Sequence, residues 1–213
     1  MRVSGLAAVA VVVAGAALLP AKASAAVFTL NSCAVGDCAN FSGSVTVTIA
    51  DNVSDTNDVD FSVVNNSNGE IANLRFGYAT TPTGNGQVTN FAASPVGSAG
   101  APSAGFGSGN DAGFAYNVDI DFPTGAGARF DTGEAVSFTL GSTTNFNFNA
   151  TGFATSLAHV ISLSIGGQSV KITTGGGGSN GGGGQTVPEP ASLALFGFAA
   201  LAAGRRLRRR KVQ

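Results

Sequence analysis

The chain has 213 residues, 31 of them glycine, no tryptophan, and only 11 % charged residues, a composition that points to a β-rich, turn-rich exported protein and excludes a coiled coil or an ordinary cytosolic enzyme. Its formal charge of −1 conceals a segregation: six cations fall in 205–211 and Arg2 and Lys22 precede residue 27, leaving Arg75, Arg129 and Lys171 against eleven carboxylates in 27–173, a formal −8. A body of that sign repels phosphate, which excludes nucleic acid as its partner.

The N-terminal segment 1–26 has the layout of a secretory signal peptide. Arg2 supplies the positive start, Leu6 to Leu19 is an apolar run of 14 residues, and Pro20 breaks it. Ala23-Ser24-Ala25 and Ser24-Ala25-Ala26 both offer the small-x-small pattern that signal peptidases cut, so cleavage is expected near residue 26. The run is shorter than the ~20 residues that span a bilayer, which disfavours a retained anchor.

The body, 27–173, is large enough to bury one core. Cys33 and Cys38, the two cysteines of the chain, are separated by four residues including Gly36. In an exported protein such a pair is expected to close a small turn as a disulfide, with Gly36 permitting the bend. Zinc would need further ligands, and His159 is the single histidine.

Period-two alternation then marks strands. In Ser44 to Ile49 the side chains of Val45, Val47 and Ile49 share a face; Val59–Val64, Ile71–Tyr78, Ala112–Phe122, Ala135–Leu140, Phe146–Phe148, Leu157–Ile165 and Ser169–Ile172 follow. Asn, Asp, Gly and Ser clusters separate them, and Ala92 to Asn110, built of small residues with Phe106 as its aromatic, reads as a long surface loop. No long segment of helical period intervenes. The expected fold is all-β, an antiparallel β-sandwich of jelly-roll-like type.

Chemistry-bearing clusters in the body are sparse. The stretch Asp51 to Asp60 is rich in oxygen, and Asp51, Asp55, Asp58 and Asp60 are the residues from which a Ca²⁺ site could be drawn. It lacks the Asp-x-Asp-x-Asp-Gly spacing of a calcium loop, and a solvated turn whose Asx side chains cap the backbone is the favoured reading. His159 has no second His or free Cys to work with, and Asp119 and Asp121 share a strand face without the groove and aromatic platform a glycosidase needs. The phenylalanines, 15 in all, are expected to fill the core. No cofactor, no metal and no catalytic residue is expected.

The C-terminal sequence is more specific. Residues 174–186 form a Gly-rich linker with eight Gly in 175–184, whose coil reach is ~20 Å. Val187-Pro188-Glu189-Pro190 follows, where two prolines enforce an extended segment that an enzyme can grip as a strand. Next comes the uncharged run Ala191 to Gly204, expected to be a short transmembrane helix, and then Arg205, Arg206, Arg208, Arg209, Arg210 and Lys211, which stop transfer and stay cytoplasmic. At ~1.5 Å per residue that run is shorter than the ~30 Å hydrocarbon core, so snorkelling or local thinning must close the gap, and a temporary anchor suits it better than a permanent one.

In order and position this tail, 187–213, resembles the PEP-CTERM sorting signal of Gram-negative bacteria. The resemblance implies that an exosortase, an integral-membrane cysteine protease or transpeptidase, is the partner, that Pro188, Glu189 and Pro190 are read as substrate, and that the protein passes through the inner membrane toward the cell surface, where such proteins are associated with exopolysaccharide and biofilm. The body loosely resembles sandwich ectodomains found upstream of such tails, through Gly133-Glu134-Ala135-Val136-Ser137-Phe138 and Ala158-His159-Val160. The expected protein is therefore a non-enzymatic surface or matrix component; the alternative is a carbohydrate- or Ca²⁺-binding ectodomain tethered by its C-terminal helix.

Overall fold

A computed structural model describes residues 24–164 and 167–174, together with the backbone of 185–186. Eleven strands are present among the described residues: β1 (Ala25–Gly36), β2 (Val45–Asp51), β3 (Val59–Asn65), β4 (Glu70–Tyr78), β5 (Gly86–Ser94), β6 (Ser103–Asp111), β7 (Phe114–Asp121), β8 (Ala135–Ser142), β9 (Phe153–Ile161), β10 (Val170–Thr174) and β11 (Gln185–Thr186). A short 3₁₀ turn, Ala150–Gly152, precedes β9.

All pairings are antiparallel, and the strands join into one sheet in the order β5-β8-β3-β2-β1-β10-β9-β4-β7-β6. β1 is the hinge of this sheet. Its first half, Ala25 to Leu30, pairs with β2, and its second half, Leu30 to Gly36, pairs with β10. Bulges between Leu30 and Ser32 and between Cys33 and Val35 bend the strand where it changes partner, as such irregularities do at sheet corners. The sheet therefore folds over on itself, with β5-β8-β3-β2 facing β10-β9-β4-β7-β6. The expectation of an all-β antiparallel fold holds; the two separate sheets of a sandwich do not, because β1 belongs to both layers and the result is a nearly closed, barrel-like sheet.

Alternation explains which residues fill the space between layers. Val45, Val47 and Ile49 on β2, Val59, Phe61 and Val63 on β3, and Phe76 on β4 are all buried. Phe61 lies with its ring centroid 5.6 Å from Phe76 and 5.6 Å from Phe153 on the opposite layer, and stacks at 5.0 Å on Phe138 of the adjacent β8. Phe28 meets Phe76 at 6.0 Å. Edge-on and stacked aromatic pairs of this kind add to the stabilisation from buried area.

Three expectations need correction. Ala92 to Asn110 is not a continuous loop: it contains the end of β5 and nearly all of β6, which pairs with β7 from Ser103↔Asp121 to Asp111↔Phe114. Composition hid these strands because pairing rather than bulky side chains makes them. Phe146–Phe148 is not a strand; it is an extended segment whose two rings close on Tyr78 at 5.7 and 5.3 Å, so the phenylalanines pack without joining the sheet. Finally, the sheet begins at Ala25, inside the segment 1–26 read as the signal peptide: Ala25 pairs with Ala50 and Ala26 with Ile49.

The turns are held by side chains the sequence reading passed over. Asn65, the last residue of β3, is fully buried. Its amide nitrogen donates to the Gly69 carbonyl (2.9 Å) and to that of Phe130 (3.2 Å), while its oxygen accepts from the Ser67 amide and hydroxyl. All of its capacity is used, which is the condition for burying an amide without penalty.

Candidate functional site

The acidic stretch forms the turn between β2 and β3, and its carboxylates are distributed among separate partners. Asn52 Oδ1 accepts from the amides of Ser54 (2.8 Å) and Asp55 (3.0 Å), and Asp55 Oδ1 accepts from the Asn57 amide (2.9 Å). These are the Asx caps expected of a solvated turn. Asp60 Oδ1 accepts from Asn52 Nδ2 (2.9 Å) and Thr139 Oγ1 (2.7 Å). The Asp58 carboxyl is pushed above its ordinary range by burial and by the charges of Asp55 and Asp60. Asp51 points the other way, toward the start of β1 and the 3₁₀ turn. Asp51, Asp55, Asp58 and Asp60 are thus neighbours in sequence with different work, and among the described residues no three His, Cys, Asp or Glu side chains converge as a metal site.

Beside this turn lies a shallow open cleft of about 340 Å³ lined by Asn52, Asp60, Asn90, Ser137 and Thr139. Asn90 Nδ2 donates to Thr139 Oγ1 (3.2 Å), which in turn donates to Asp60. Asn52, Asp60, Thr139 and Asn90 are therefore already bonded to one another in a chain, over a floor of buried Phe61 and Phe138.

The body's three cations are each paired. Arg129 reaches Glu70 at 2.5 Å. Arg75, on β4, contacts Asp119 of β7 and Asp111 at the tip of the β6–β7 hairpin, and Lys171 of β10 contacts Asp111 as well. Arg75 also lies 4.8 Å from the Tyr116 ring centroid, a cation–π contact. The hairpin tip thus crosses the outer face of β4, β9 and β10. His159 sits in this face opposite Lys171; burial, then the charges of Lys171 and Arg75, hold its imidazole below the usual pKa. Burial and the neighbouring Asp121 charge raise that of Asp119 in spite of Arg75. Asp111 was missed from the sequence because it fell between the stretch read as loop, which ended at Asn110, and the strand expected from Ala112; Ala112-Gly113, placed in that strand, is in fact the hairpin turn between β6 and β7.

Cys33 and Cys38 form the expected disulfide, with Cα atoms 5.6 Å apart. Gly36 between them has φ of +108°, a conformation other residues rarely adopt. The bridge stiffens β1 just where it pairs with β10.

The two ends of the body meet at the other end of β1. β10 leaves the sheet at Thr174, opposite Leu30, and β11 returns to the same strand, pairing Gln185 with Val27 and Thr186 with Ala26. The chain therefore enters Val187-Pro188-Glu189-Pro190 from the edge of β1. The Gly-rich sequence 175–184 joins two points on one strand, so its contour does not add directly to the distance between body and tail. Val187, Pro188, Glu189 and Pro190, the apolar run 191–204 and Arg205, Arg206, Arg208, Arg209, Arg210 and Lys211 lie outside the described residues, as does most of the signal segment. Among the described residues no helix is long and apolar enough to cross a membrane.

Residues 186–210 match the PEP-CTERM protein-sorting motif. No curated protein and no solved structure matches the chain. The motif implies export, sorting at the cell envelope of a Gram-negative bacterium and an exosortase as processing partner.

Proposed function

We propose that this protein is a non-enzymatic component of the cell surface or extracellular matrix, delivered by a signal peptide and detained briefly at the inner membrane by its C-terminal tail. The observation that carries the reading is the match of 186–210 to the sorting motif. The order of parts supports the mechanism. An exosortase grips Pro188-Glu189-Pro190 as an extended strand. The helix expected at 191–204 holds the tail in lipid, and the cations of 205–211 keep its end in the cytoplasm. Cutting near the motif separates the acidic body from its only basic segment, and the released body carries the negative charge that keeps exported domains soluble. Association with exopolysaccharide or biofilm is part of the proposal.

Mass spectrometry of the mature C-terminus, with and without a functional sorting enzyme, tests the reading. Loss of Arg205 to Lys211 that depends on the enzyme is the expected result. Surface protein retaining those cations whether or not the enzyme is present would overturn it.

A further inference from the structure

The structure assigns the bond at which the signal segment is removed, an inference that rests on the export proposed above. Ser24 is fixed to the body through three contacts, all with the side chain and backbone of Asp51. Its amide donates to Asp51 Oδ2 (2.9 Å), its hydroxyl donates to the same oxygen, and its carbonyl accepts from the Asp51 amide (2.9 Å). The other carboxylate oxygen, Asp51 Oδ1, accepts from the Ala150 amide (2.7 Å). Ser24 thereby ties the start of β1 to the end of β2 and, through Asp51, to the 3₁₀ turn before β9.

The cuts suggested by Ala23-Ser24-Ala25 and Ser24-Ala25-Ala26 would dismantle this arrangement. Either removes Ser24 and leaves Oδ2 of a part-buried carboxylate without these two donors, a costly loss for a group taken partly out of water. A cut after Ala25 also deletes the Ala25↔Ala50 pair and makes the core residue Ala26 the new terminus. A cut after Ala26 removes a core residue that pairs with Ile49 on one side and Thr186 on the other.

One bond nearby avoids all of this. Ala21-Lys22-Ala23 is itself a small-x-small sequence immediately after Pro20, with Ala21 and Ala23 at the two positions that must be small. Hydrolysis of the Ala23–Ser24 bond by a signal peptidase adds water across it: the hydroxyl completes the Ala23 carboxylate, and the protons leave Ser24 with an α-ammonium group. Every Ser24 contact survives, and its neutral amide donor becomes a cationic one facing Asp51, a stronger charge-assisted bond. The carboxylate is prepared for it: burial raises the Asp51 pKa, but the bonds from Ser24 and Ala150 outweigh burial and hold it below the ordinary value. We infer that the mature chain begins at Ser24 and that Asp51 clasps its terminal ammonium.

The test is N-terminal sequencing and intact mass of the protein exported by its own host. Ser24 as first residue is expected. Ala26 or Val27 first overturns the inference and leaves export standing, whereas retention of Met1 overturns export itself. The clasp has its own readout on the same exported protein: labelling of the α-amine by an amine-selective reagent at neutral pH. Replacing Asp51 by Asn keeps an acceptor for Ala150 and removes the charge, so the amine should label about tenfold faster, the effect of one pKa unit. Equal labelling rates in wild type and Asp51→Asn overturn the clasp.

Discussion

Phe61, on β3, has three aromatic rings with centroids within 5.6 Å of its own, whereas a methyl group added to Gly105, on β6, would meet nothing within 4 Å. Both residues lie in paired strands of the same sheet. Around Phe61, side chains from the two layers interlock and the backbone ladder follows from their burial. Along β5 and β6 the side chains packed against the core, Val88, Phe91, Ala93, Ala104 and Phe106, are only partly buried, and these strands persist chiefly because β8 and β7 offer them partners and because a few specific contacts pin them. The comparison separates strands made by packing from strands made by pairing, and each kind fails in its own way.

The largest effect is expected at the packed centre. Phe61→Ala removes a side chain that is 1 % exposed and touches both layers, and should cost about 3–5 kcal/mol through lost burial and the cavity left behind. Chemical denaturation of the exported body measures it. A loss below ~1 kcal/mol would mean that the layers close over the gap, and the contrast with the flank would dissolve.

Next comes the pin on the flank. Asp111 is 8 % exposed and serves two cations. Asp111→Ala leaves Lys171 without that partner and Arg75 with Asp119 and the Tyr116 face. Since both cations are part-exposed, the cost should fall between that of surface and buried pairs, about 2 kcal/mol. Amide exchange should quicken at the tip of the β6–β7 hairpin before it does in β2 or β3. Uniform quickening across the sheet would show that the flank is no separate unit.

How much of this was readable in the sequence follows the same division. β2, β3, β4 and β8 announce themselves because alternation of Val, Ile, Leu and Phe is what a half-buried strand requires. β6 does not, since Gly, Ala and Ser alternate without changing hydrophobicity, and β5 does not, since its Val88 and Phe91 fall out of period two across a bulge between Thr89 and Ala92; only a neighbouring edge reveals either. β1 escaped for another reason: it straddles the expected cleavage point and the cysteine turn, so two local readings divided one strand between them. The turn chemistry of Asn52 and Asp55 was legible because an Asx side chain caps its own next residues. The roles of Asp51 and Asp111 were not, because their partners Ser24, Ala150, Arg75 and Lys171 are brought to them by pairing across the sheet.

A smaller effect discriminates within the flank itself. A Cβ on Gly86, at the start of β5, would lie 2.6 Å from both Cβ and the carbonyl oxygen of Ala104 on β6. This is where the two ends of the sheet approach, and only a residue without a side chain lets them. Gly86→Ala must push backbone aside and should cost about 1–2 kcal/mol, while Gly105→Ala, with open space before it, should stay within about ±0.5 kcal/mol. Thermal melts of the two variants check this. Equal effects would mean that the seam contributes nothing to the closure.

The smallest expected effect concerns pH at the face that the hairpin crosses. His159 lies beside Lys171 and Asn73 on the neighbouring strands, and its folded pKa is depressed by burial and by the Lys171 and Arg75 charges. Above the unfolded value of about 6.5 the imidazole is neutral in both states and contributes no pH dependence. As the pH falls through that value the unfolded chain takes up a proton that the folded chain resists, so stability declines until the folded pKa is reached. Asp119, whose folded pKa is raised, works in the opposite sense at lower pH, because the folded chain takes up its proton first. His159→Gln should therefore flatten the stability profile just below pH ~6.5 and leave the more acidic part unchanged. Denaturation midpoints measured across that range decide it: an unaltered slope in the variant would show that the face under the hairpin admits water freely enough to solvate the imidazolium, and that the flank is open where the ion pairs place it shut.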